Sequence, residues 1–325
     1  MNITDKKVLV TGGTGLIGQQ LIPLLLQEGA KIKVVSLDDP SLAPLGIEFV
    51  RCDLTDFDNC LSVCDGMDVV FNLIGVKTSP KTIQEKPANM FVSFLRFNTN
   101  IIEAARQKNV GWFMYTSTVG VYSPCEIMKE DELWNGYPSK NDWYGGWGKR
   151  MGEMQLETYK IQYGLSNYSI IRPANVYGPY DDFSDTAMVI PSLIKRVERQ
   201  ENPLTIWGDG TPIRDFIHAR DVARGMIFSV KNEINLPMNM GSGKGINIKE
   251  LVDTLIECSD YSPEIKWDTE KPMGDKKRLL SMERANSLGF YPEINLKTGL
   301  TETLEWFKVN KSNSESKRYN VFNTK

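Results

Sequence analysis

The sequence predicts an α/β fold in which a doubly wound parallel sheet is followed by a smaller C-terminal lobe. Short apolar runs alternate with helix-length segments over the first half of the chain, which is typical of a parallel sheet with helices on both faces. A glycine-rich turn follows the first apolar run. After Pro173 the pattern changes to loops and helices rich in glycine and proline, which predicts a second, smaller unit.

The predicted elements follow in chain order. The strands are short apolar runs, at residues 7–10, 31–35, 48–50, 68–71, 111–115 and 168–171. The helices of the first half are predicted at 16–28, 98–108 and 149–163, and those of the second half at about 186–200, 219–231 and 248–258.

These elements divide the chain into three parts. Residues 1–172 form the predicted sheet unit, and residues 173–308 form a lobe that is intertwined with it rather than joined by a linker. Residues 309–325 are predicted to be a mobile tail, because the segment is polar and has almost nothing to bury.

Composition excludes several classes of function. Of the 325 residues 41% are hydrophobic, and the net charge of -3 offers no basic surface for nucleic acid. No apolar run approaches the roughly 20 residues that a membrane helix needs, and the first residues lack a signal-peptide layout. We therefore predict a cytoplasmic enzyme that binds neither nucleic acid nor membranes.

The cysteines and histidines offer little material for a metal site. The five cysteines lack paired spacings, and His218 is the only histidine. Zinc sites, disulfide frameworks and Ser-His-Asp triads all need more than this. We predict no metal ion.

The stretch TGGTGLIG (11–18) predicts a dinucleotide site. Gly12, Gly15 and Gly18 stand between a strand and a helix, where glycines let the backbone approach a pyrophosphate that the helix N-terminus then attracts. The alternative is a tight strand–helix turn that binds no ligand. The strand, the spacing and the helix all favour the dinucleotide.

Two acids indicate which dinucleotide is bound. Asp38 and Asp39 come about 20 residues after the turn, where a carboxylate accepts hydrogen bonds from the adenosine ribose. This favours NAD. NADP remains the alternative because Ser36 stands at the end of the strand, and the acids could also be solvated turn residues.

Further motifs resemble the extended short-chain dehydrogenase/reductase family, within it the nucleotide-sugar epimerases, dehydratases and reductases. They are RCDLTD (51–56), FNLIGVK (71–77), YTSTVGVYS (115–123), RPANVYGP (172–179) and WGDGTPIRDFIHARDVA (207–223). The resemblance runs from about residue 5 to about residue 305 and is closest to the GDP-fucose synthase and 4-epimerase branches. It implies a Rossmann-type sheet domain that binds NAD(P) and a C-terminal lobe that binds substrate.

The resemblance also implies roles for individual residues. Thr118 would bond the C4 oxygen of the sugar, Asn175 would contact the substrate, and Arg214 would clamp its diphosphate. The alternatives are a strand-end cap for Thr118 and a surface ion pair for Arg214. The residues implied to hold the cofactor are Gly12, Gly15, Leu16, Ile17, Gly18, Asp38, Asp53, Leu54, Leu73, Lys149 and Pro173.

Two nearby residues are predicted to be structural. The resemblance puts His218 on a strand that leads out of the site, where it would be a hydrogen-bonding residue of the fold. Asp221 is predicted to cap a helix.

Several reactions of the family lack their proton carriers in this chain. Relatives that remove water across C5 and C6 have acids where Val119 and Gly120 stand. Those that epimerise C3 and C5 have a Cys and a His at places that correspond to Gly120 and Met188. Hydride transfer at C4 remains, in a 4-epimerase, a 4-ketoreductase or a 4-dehydrogenase. The substrate would be a GDP- or UDP-linked hexose or heptose for surface-polysaccharide synthesis.

The Tyr–Lys pair of the family is altered in DWYGGWGK (142–149). The motif GKRMGE identifies Lys149 as the lysine, and the position four residues before it is Gly145. Tyr144 is one residue further away, which on an α-helix points it to another face. It could serve as the base if it preceded the first turn, with Asp142 as N-cap, or if a π-bulge added a residue.

Three hypotheses therefore stay open. Tyr144 is the base, or the proton is moved by water, Thr118 or Lys149, or the protein is a catalytically silent relative that binds dinucleotide and sugar nucleotide. The resemblance also implies a homodimer, formed by the helix that contains Lys149 and its neighbour around 88–108.

Overall fold

The computed structural model describes residues 1–75, 83, 85–271, 274–310, 318, 319 and 322. Most of the tail predicted to be mobile and the end of FNLIGVK lie outside these residues. The fold below refers to the described part of the chain.

A seven-stranded parallel sheet forms the centre of the first unit. Its strand order is β10-β6-β5-β4-β1-β2-β3, which is a doubly wound arrangement. The strands are β1 Lys7–Thr11, β2 Lys31–Ser36, β3 Glu48–Arg51, β4 Val69–Asn72, β5 Trp112–Thr116, β6 Tyr168–Pro173 and β10 Pro237–Met240. The predicted fold class is confirmed, and the six predicted strands are all present.

The seventh strand comes from the second half of the chain. β10 pairs in parallel with β6, with Met240 beside Pro173. The sequence did not predict this strand, because Pro-Met-Asn-Met has no alternating or continuous apolar pattern of its own. The two units therefore interleave beyond the division drawn at residue 173.

Nine helices are described in the structure. They are α1 Leu16–Gln27, α2 Phe57–Cys64, α3 Pro87–Gln107, α4 Trp143–Tyr163, α5 Val189–Glu198, α6 Ala219–Lys231, α7 Ile248–Glu257, α8 Glu283–Ser287 and α9 Leu296–Asn310. Helices α3 and α4 begin 11 and 6 residues before the predicted starts at 98 and 149. Pro87 is well suited to a first helical position, whereas the glycines at the start of α4 are tolerated only through tertiary packing.

The helices cover both faces of the sheet. Helices α1 and α6 pack on one face and α2, α3 and α4 on the other. Alternation along β1 supplies both cores, since Val8 and Val10 are buried on the α1 side and Leu9 on the α3 side. The carboxyl ends of the strands are thereby fixed along one edge of the sheet.

The C-terminal lobe has its own core and two small sheets. Its strands are β7 Asn175–Tyr177, β8 Leu204–Trp207, β9 Ile213–His218, β11 Gly245–Asn247, β12 Ile265–Asp268 and β13 Lys277–Arg278. Strand β9 pairs with β7, β11 and β13, while β12 pairs with β8. Helices α5, α7 and α9 enclose this core.

His218, not Asp221, is the N-cap of α6. The buried imidazole accepts the N–H of Arg220 at its Nδ1, at 3.2 Å. Asp221 lies inside the first turn and accepts the N–H groups of Glu293 and Ile294 at 3.0 and 2.8 Å. The predicted N-cap was therefore wrong by three residues, and both side chains hold the fold together.

The described residues contain neither a membrane-spanning helix nor a cluster of metal ligands. No described helix is long and apolar enough to cross a membrane. No group of three or more described His, Cys, Asp or Glu residues could hold a metal ion.

Candidate active site

One large cavity lies at the carboxyl edge of the sheet. Its volume is about 1040 Å³, and it is lined by the turn after β1, by the ends of β2, β4, β5 and β6, and by the start of α4. Strands β1 and β4 lie side by side where the strand order reverses, which is where open α/β sheets bind ligands. Every residue implied to hold the dinucleotide lines this cavity, together with Thr118 and Asn175, whereas Tyr144 and Arg214 do not.

The glycine-rich turn has the geometry of an anion-binding loop. Gly12 has a φ of +66°, and its N–H donates to Val35 O at 2.7 Å. Helix α1 follows Gly15 without a side-chain cap, so its first N–H groups have no partner within the helix. A Cβ atom on Gly18 would lie 2.4 Å from Gly13 O, so the helix packs on the turn only with glycine there. These donors on the cavity wall suit phosphate oxygens.

Asp38 lies on the cavity wall just after β2. Its Oδ2 accepts the Thr14 hydroxyl at 2.6 Å, and its N–H donates to Ser36 Oγ at 3.1 Å. Asp39 instead caps the short 3-10 helix Pro40–Leu42. Of the two acids singled out by spacing, only Asp38 reaches the cavity.

Lys149 is buried beside the cavity. Its Nζ donates to Ile74 O at 2.9 Å and lies 5.2 and 5.1 Å from the ring centroids of Phe94 and Tyr115. Burial lowers the pKa of Lys149 to about 7, and the charge of Glu153 only partly counters this. An amine that titrates near neutrality can take up or release a proton at physiological pH.

One face of α4 looks into the cavity. Asp142, Gly145, Gly146 and Lys149 line it, and this spacing of three, four and seven residues marks one side of a helix. Tyr144 is the second helical residue and is 36% exposed. The Gly146 N–H donates to Asp142 O at 2.6 Å, and these described residues form regular α-helix without a π-bulge. Neither arrangement that would bring Tyr144 to the cavity is present, so the structure does not support Tyr144 as the base.

The glycines of α4 differ in what they do for packing. A Cβ atom on Gly146 would lie 2.3 Å from Gly120 O, one on Gly148 2.7 Å from Phe94 Cβ, and one on Gly152 2.2 Å from the Tyr115 hydroxyl. Close packing therefore requires these three. At Gly145 the nearest atom would be Met90 Sδ, at an ordinary 3.5 Å.

Gly145→Ala is expected to stabilise the protein by about 1 kcal/mol, because alanine costs less backbone entropy than glycine in a helix and its methyl group has room. Gly148→Ala is the matched control, and its clash with Phe94 should lower the free energy of unfolding by about 1–3 kcal/mol. Urea unfolding of both variants checks this. A destabilised Gly145→Ala would mean that the backbone at 145 is under a packing constraint.

Thr118 and Asn175 lie in the part of the cavity near the lobe. Thr118 is half-buried and its Oγ1 accepts the Gly120 N–H at 3.2 Å, which caps the 3-10 turn Val119–Val121. The hydroxyl hydrogen remains available for a ligand. Asn175 donates from Nδ2 to Asp215 O at 2.9 Å, which leaves its carbonyl oxygen for the cavity.

Arg278 lines the cavity, whereas Arg214 does not. The Nη1 of Arg214 donates to Ile213 O at 2.8 Å. Arg278, which lines the cavity, donates to Asp275 Oδ2 through Nε and Nη2 at 2.8 and 2.5 Å and forms an ion pair with Asp142. The register of β13 against β9 sets the two arginines side by side. Sequence reasoning missed Arg278 because no local pattern marks this two-residue strand.

The comparisons with known proteins agree with this geometry. The profile of the NAD dependent epimerase/dehydratase family matches residues 8–241, which span β1 to the end of β10. The chain belongs to the NAD dependent epimerase/dehydratase family. The resemblance stated from the motifs is thereby confirmed.

Relatives within the family act on nucleotide sugars. The GDP-L-fucose synthase of Escherichia coli is 33% identical over 69% of this chain and 75% of that enzyme. A dTDP-4-dehydro-6-deoxy-D-allose reductase of a Streptomyces species is 26% identical over 94% of this chain and 97% of its own length. The structure of Thermotoga maritima UDP-glucose 4-epimerase with UDP-glucose superposes with a TM-score of 0.84 at 26% identity, covering 94% of this chain and 100% of that one.

In this family member the residue that starts α4 does not cap it. Asp142 holds the N-cap position but makes no side-chain bond to the helix, although such a bond typically contributes roughly 0.5–2 kcal/mol. Its carboxylate pairs with Arg278 instead. Asp142 therefore occupies the expected N-cap position but does not make the capping hydrogen bond.

Residues near the C-terminus also line the cavity, which the sequence did not predict. The Tyr319 N–H donates to Asp38 Oδ1 at 2.7 Å, and Arg318 donates to Tyr180 O. Phe322 is 4% exposed and packs in the core on the α3 side. The mobile tail stays a prediction for the residues outside the described part.

Proposed function

We propose that the protein is an NAD-dependent enzyme that transfers hydride at C4 of a GDP- or UDP-linked hexose or heptose. It would act as a 4-epimerase, a 4-ketoreductase or a 4-dehydrogenase in surface-polysaccharide synthesis. The observation that carries the proposal is that one cavity joins the glycine turn, Thr118 and Lys149. A dinucleotide and a sugar can therefore meet beside a group able to move a proton.

The cavity suits a dinucleotide. The N-terminus of α1 would hold the pyrophosphate, and Asp38 would accept hydrogen bonds from the adenosine ribose, which favours NAD over NADP. Thr116 also lines the cavity. Among the described residues, its buried Oγ1 has no hydrogen-bond partner, so this hydroxyl can form a hydrogen bond with a ligand. When bound, NAD supplies the hydride acceptor. Asp53, Leu54, Leu73 and Pro173 would line the rest of its path.

The lobe side of the cavity suits a nucleotide sugar. Thr118 would donate its hydroxyl to the C4 oxygen, and Asn175 would contact the sugar nucleotide. We assign the diphosphate contact to Arg278 instead of Arg214, because Arg278 lines the cavity. Its Nε and Nη2 donate to Asp275, so Nη1 would meet a phosphate oxygen. Val119 and Met188 on the same wall supply no proton carrier at C3, C5 or C6.

Lys149 is the proton carrier in this proposal. It lies on the cavity-facing side of α4, where Tyr144 does not reach. The neutral amine would take the C4 hydroxyl proton during oxidation, and the ammonium would return a proton during reduction. A pKa of about 7 makes both forms accessible near neutral pH.

An absorbance assay tests the proposal. Purified protein is mixed with NAD and UDP-glucose, UDP-galactose or GDP-mannose, or with NADH and the 4-keto derivatives of these sugars, and the absorbance of reduced nicotinamide is followed. We expect turnover, or a single reduction of bound NAD, with at least one of these. The absence of both with every sugar would contradict the proposed activity.

A second candidate function is favoured by Gly145. No side chain stands where the family places its tyrosine, and general acid–base catalysis contributes about 10² to 10⁴ in rate. A silent relative that binds dinucleotide and sugar nucleotide without efficient turnover would have the same cavity. The variant Gly145→Tyr, which places a tyrosine at this position, separates the two candidate functions.

The assembly and location are also proposals. We propose a homodimer through α3 and α4, which pack on each other and expose the apolar side chains of Val92, Met154 and Ile161, the last 78% exposed. A monomer in analytical ultracentrifugation would contradict this. A cytoplasmic location, expected from the sequence, fits an enzyme that uses NAD and nucleotide sugars.

A further inference from the structure

Asp142 stands on the same helix face as the proposed proton carrier. It precedes Gly145 by three residues and Lys149 by seven, and all three line the cavity. Its side chain is 30% exposed and makes no bond to the helix that it begins. The carboxylate is therefore directed toward the cavity wall and away from the helix N-terminus.

Arg278 fixes the orientation of this carboxylate. The guanidinium is only 13% exposed, pairs with Asp142, and is itself held by Asp275. Asp275 in turn accepts the Ser139 hydroxyl at 2.8 Å and the Asn141 amide at 2.9 Å. A carboxylate that pairs with such a fixed guanidinium keeps one geometry.

Two glycines lie near this carboxylate. A Cβ atom on Gly120 would lie 3.0 Å from both Cβ and Cγ of Asp142, so a side chain at 120 would displace it. At Gly145 a Cβ atom would meet nothing closer than 3.5 Å. Asp142, Gly145 and Lys149 line the cavity together, so a ligand there can contact both the carboxylate and the amine.

The charges indicate which ligand group fits this space. The two acids Asp142 and Asp275 are balanced by Arg278 and the adjacent Arg214, whose charges act on one another. A carboxylate accepts hydrogen bonds from hydroxyl groups and repels phosphate oxygens. The space next to Asp142 therefore suits the sugar ring, whereas Arg278 suits the diphosphate.

We propose that Asp142 is a positioning residue for the substrate, which accepts hydrogen bonds from hydroxyl groups of the sugar and so sets C4 against Lys149 and Thr118. The role rests on the proposed function, since it requires a nucleotide sugar in the cavity. It accounts for an N-cap aspartate that makes no cap bond and for the glycine at 120, whose Cβ would press on that aspartate.

The test is calorimetric titration of wild-type protein, Asp142→Asn and Asp131→Asn with UDP-glucose, GDP-mannose, UDP, GDP and NAD. Asparagine keeps the shape and the N-cap preference of aspartate, and Arg278 keeps its bonds to Asp275. Asp131 is the matched control, because it pairs with Arg284 on the surface, where it is 86% exposed. Thermal unfolding checks that both variants are folded.

Asp142→Asn is expected to weaken binding of the nucleotide sugar about tenfold or more, as removal of a hydrogen bond to a charged group does. Its affinity for UDP, GDP and NAD should stay within about twofold of wild type, and Asp131→Asn should change none of them. An equal loss for UDP and UDP-glucose, or no loss at all, would overturn this role alone. Wild-type protein that binds no nucleotide sugar would overturn the proposed function as well.

Discussion

Lys149→Met is expected to lower turnover of the nucleotide sugar by about 10³-fold or more. The substitution removes the proposed proton carrier, which contributes about 10² to 10⁴ in rate, and a cation that the family resemblance places at the nicotinamide ribose. Steady-state rates with the substrate found in the absorbance assay measure the loss. Lys160→Met is the matched control, since Lys160 lies exposed in the last turn of the same helix and should leave the rate unchanged.

The pH dependence separates chemistry from binding in this variant. The base is the neutral amine, so wild-type kcat/KM for sugar oxidation should fall about tenfold per unit below the Lys149 pKa of about 7 and level off above it. The fall in kcat/KM below pH 7 should be absent from the residual activity of Lys149→Met. A variant that retained both its rate and the step near pH 7 would rule out Lys149 as the carrier.

We expect that unfolding will not account for the loss of activity in Lys149→Met. Burial holds the pKa of folded Lys149 below its ordinary value, so its charged form is disfavoured on folding. The unfolded chain binds a proton at Lys149 more readily than the folded protein does. The free energy of unfolding is therefore highest at high pH and decreases as the pH falls toward 7. Lys149→Met should therefore be at least as stable as wild type at pH 7, and lost activity will not reflect unfolding.

Gly145→Tyr is expected to lower turnover about 100-fold while NAD binding persists. Gly145 lines the cavity and has room for a methyl group beside Met90 and Phe94, yet glycine stands there at a cost of about 1 kcal/mol in helix stability. If the substrate uses that space, a ring between Asp142 and Lys149 will exclude it. Rates and NAD affinity measured for Gly145→Tyr and Gly145→Phe test this.

A gain of activity in Gly145→Tyr would have a different meaning, which Gly145→Phe tests. Gly145→Phe adds the ring without the hydroxyl and should lose activity to a similar degree. A gain of 10²-fold or more in Gly145→Tyr alone would mean that the hydroxyl restores a missing proton carrier. The silent-relative hypothesis would then be correct and the space at Gly145 would not belong to the substrate.

Most of the fold was predictable because its signals are local. Each predicted strand of the central sheet is a short apolar run, and the pattern of Gly12, Gly15 and Gly18 fixes a strand–turn–helix unit by itself. The start of α4 was not predictable, because three glycines there argue against a helix. Gly146 and Gly148 are required there because they lie against Gly120 and Phe94, whereas Gly145 makes only ordinary contacts.

The sequence by itself determined the glycine turn and Asp38 as cavity residues through their spacing along one strand–helix–strand unit, and the family and Lys149 through the motifs that resemble the family. Only the tertiary structure placed Tyr144 and Arg214 outside the cavity and brought Arg278 to its wall beside Asp142. The direction of a helix face and the register of β13 against β9 decide these positions. Both depend on packing between segments that are distant in the chain, such as Arg278 with Arg214 and Arg278 with Asp142, and no local pattern records that packing.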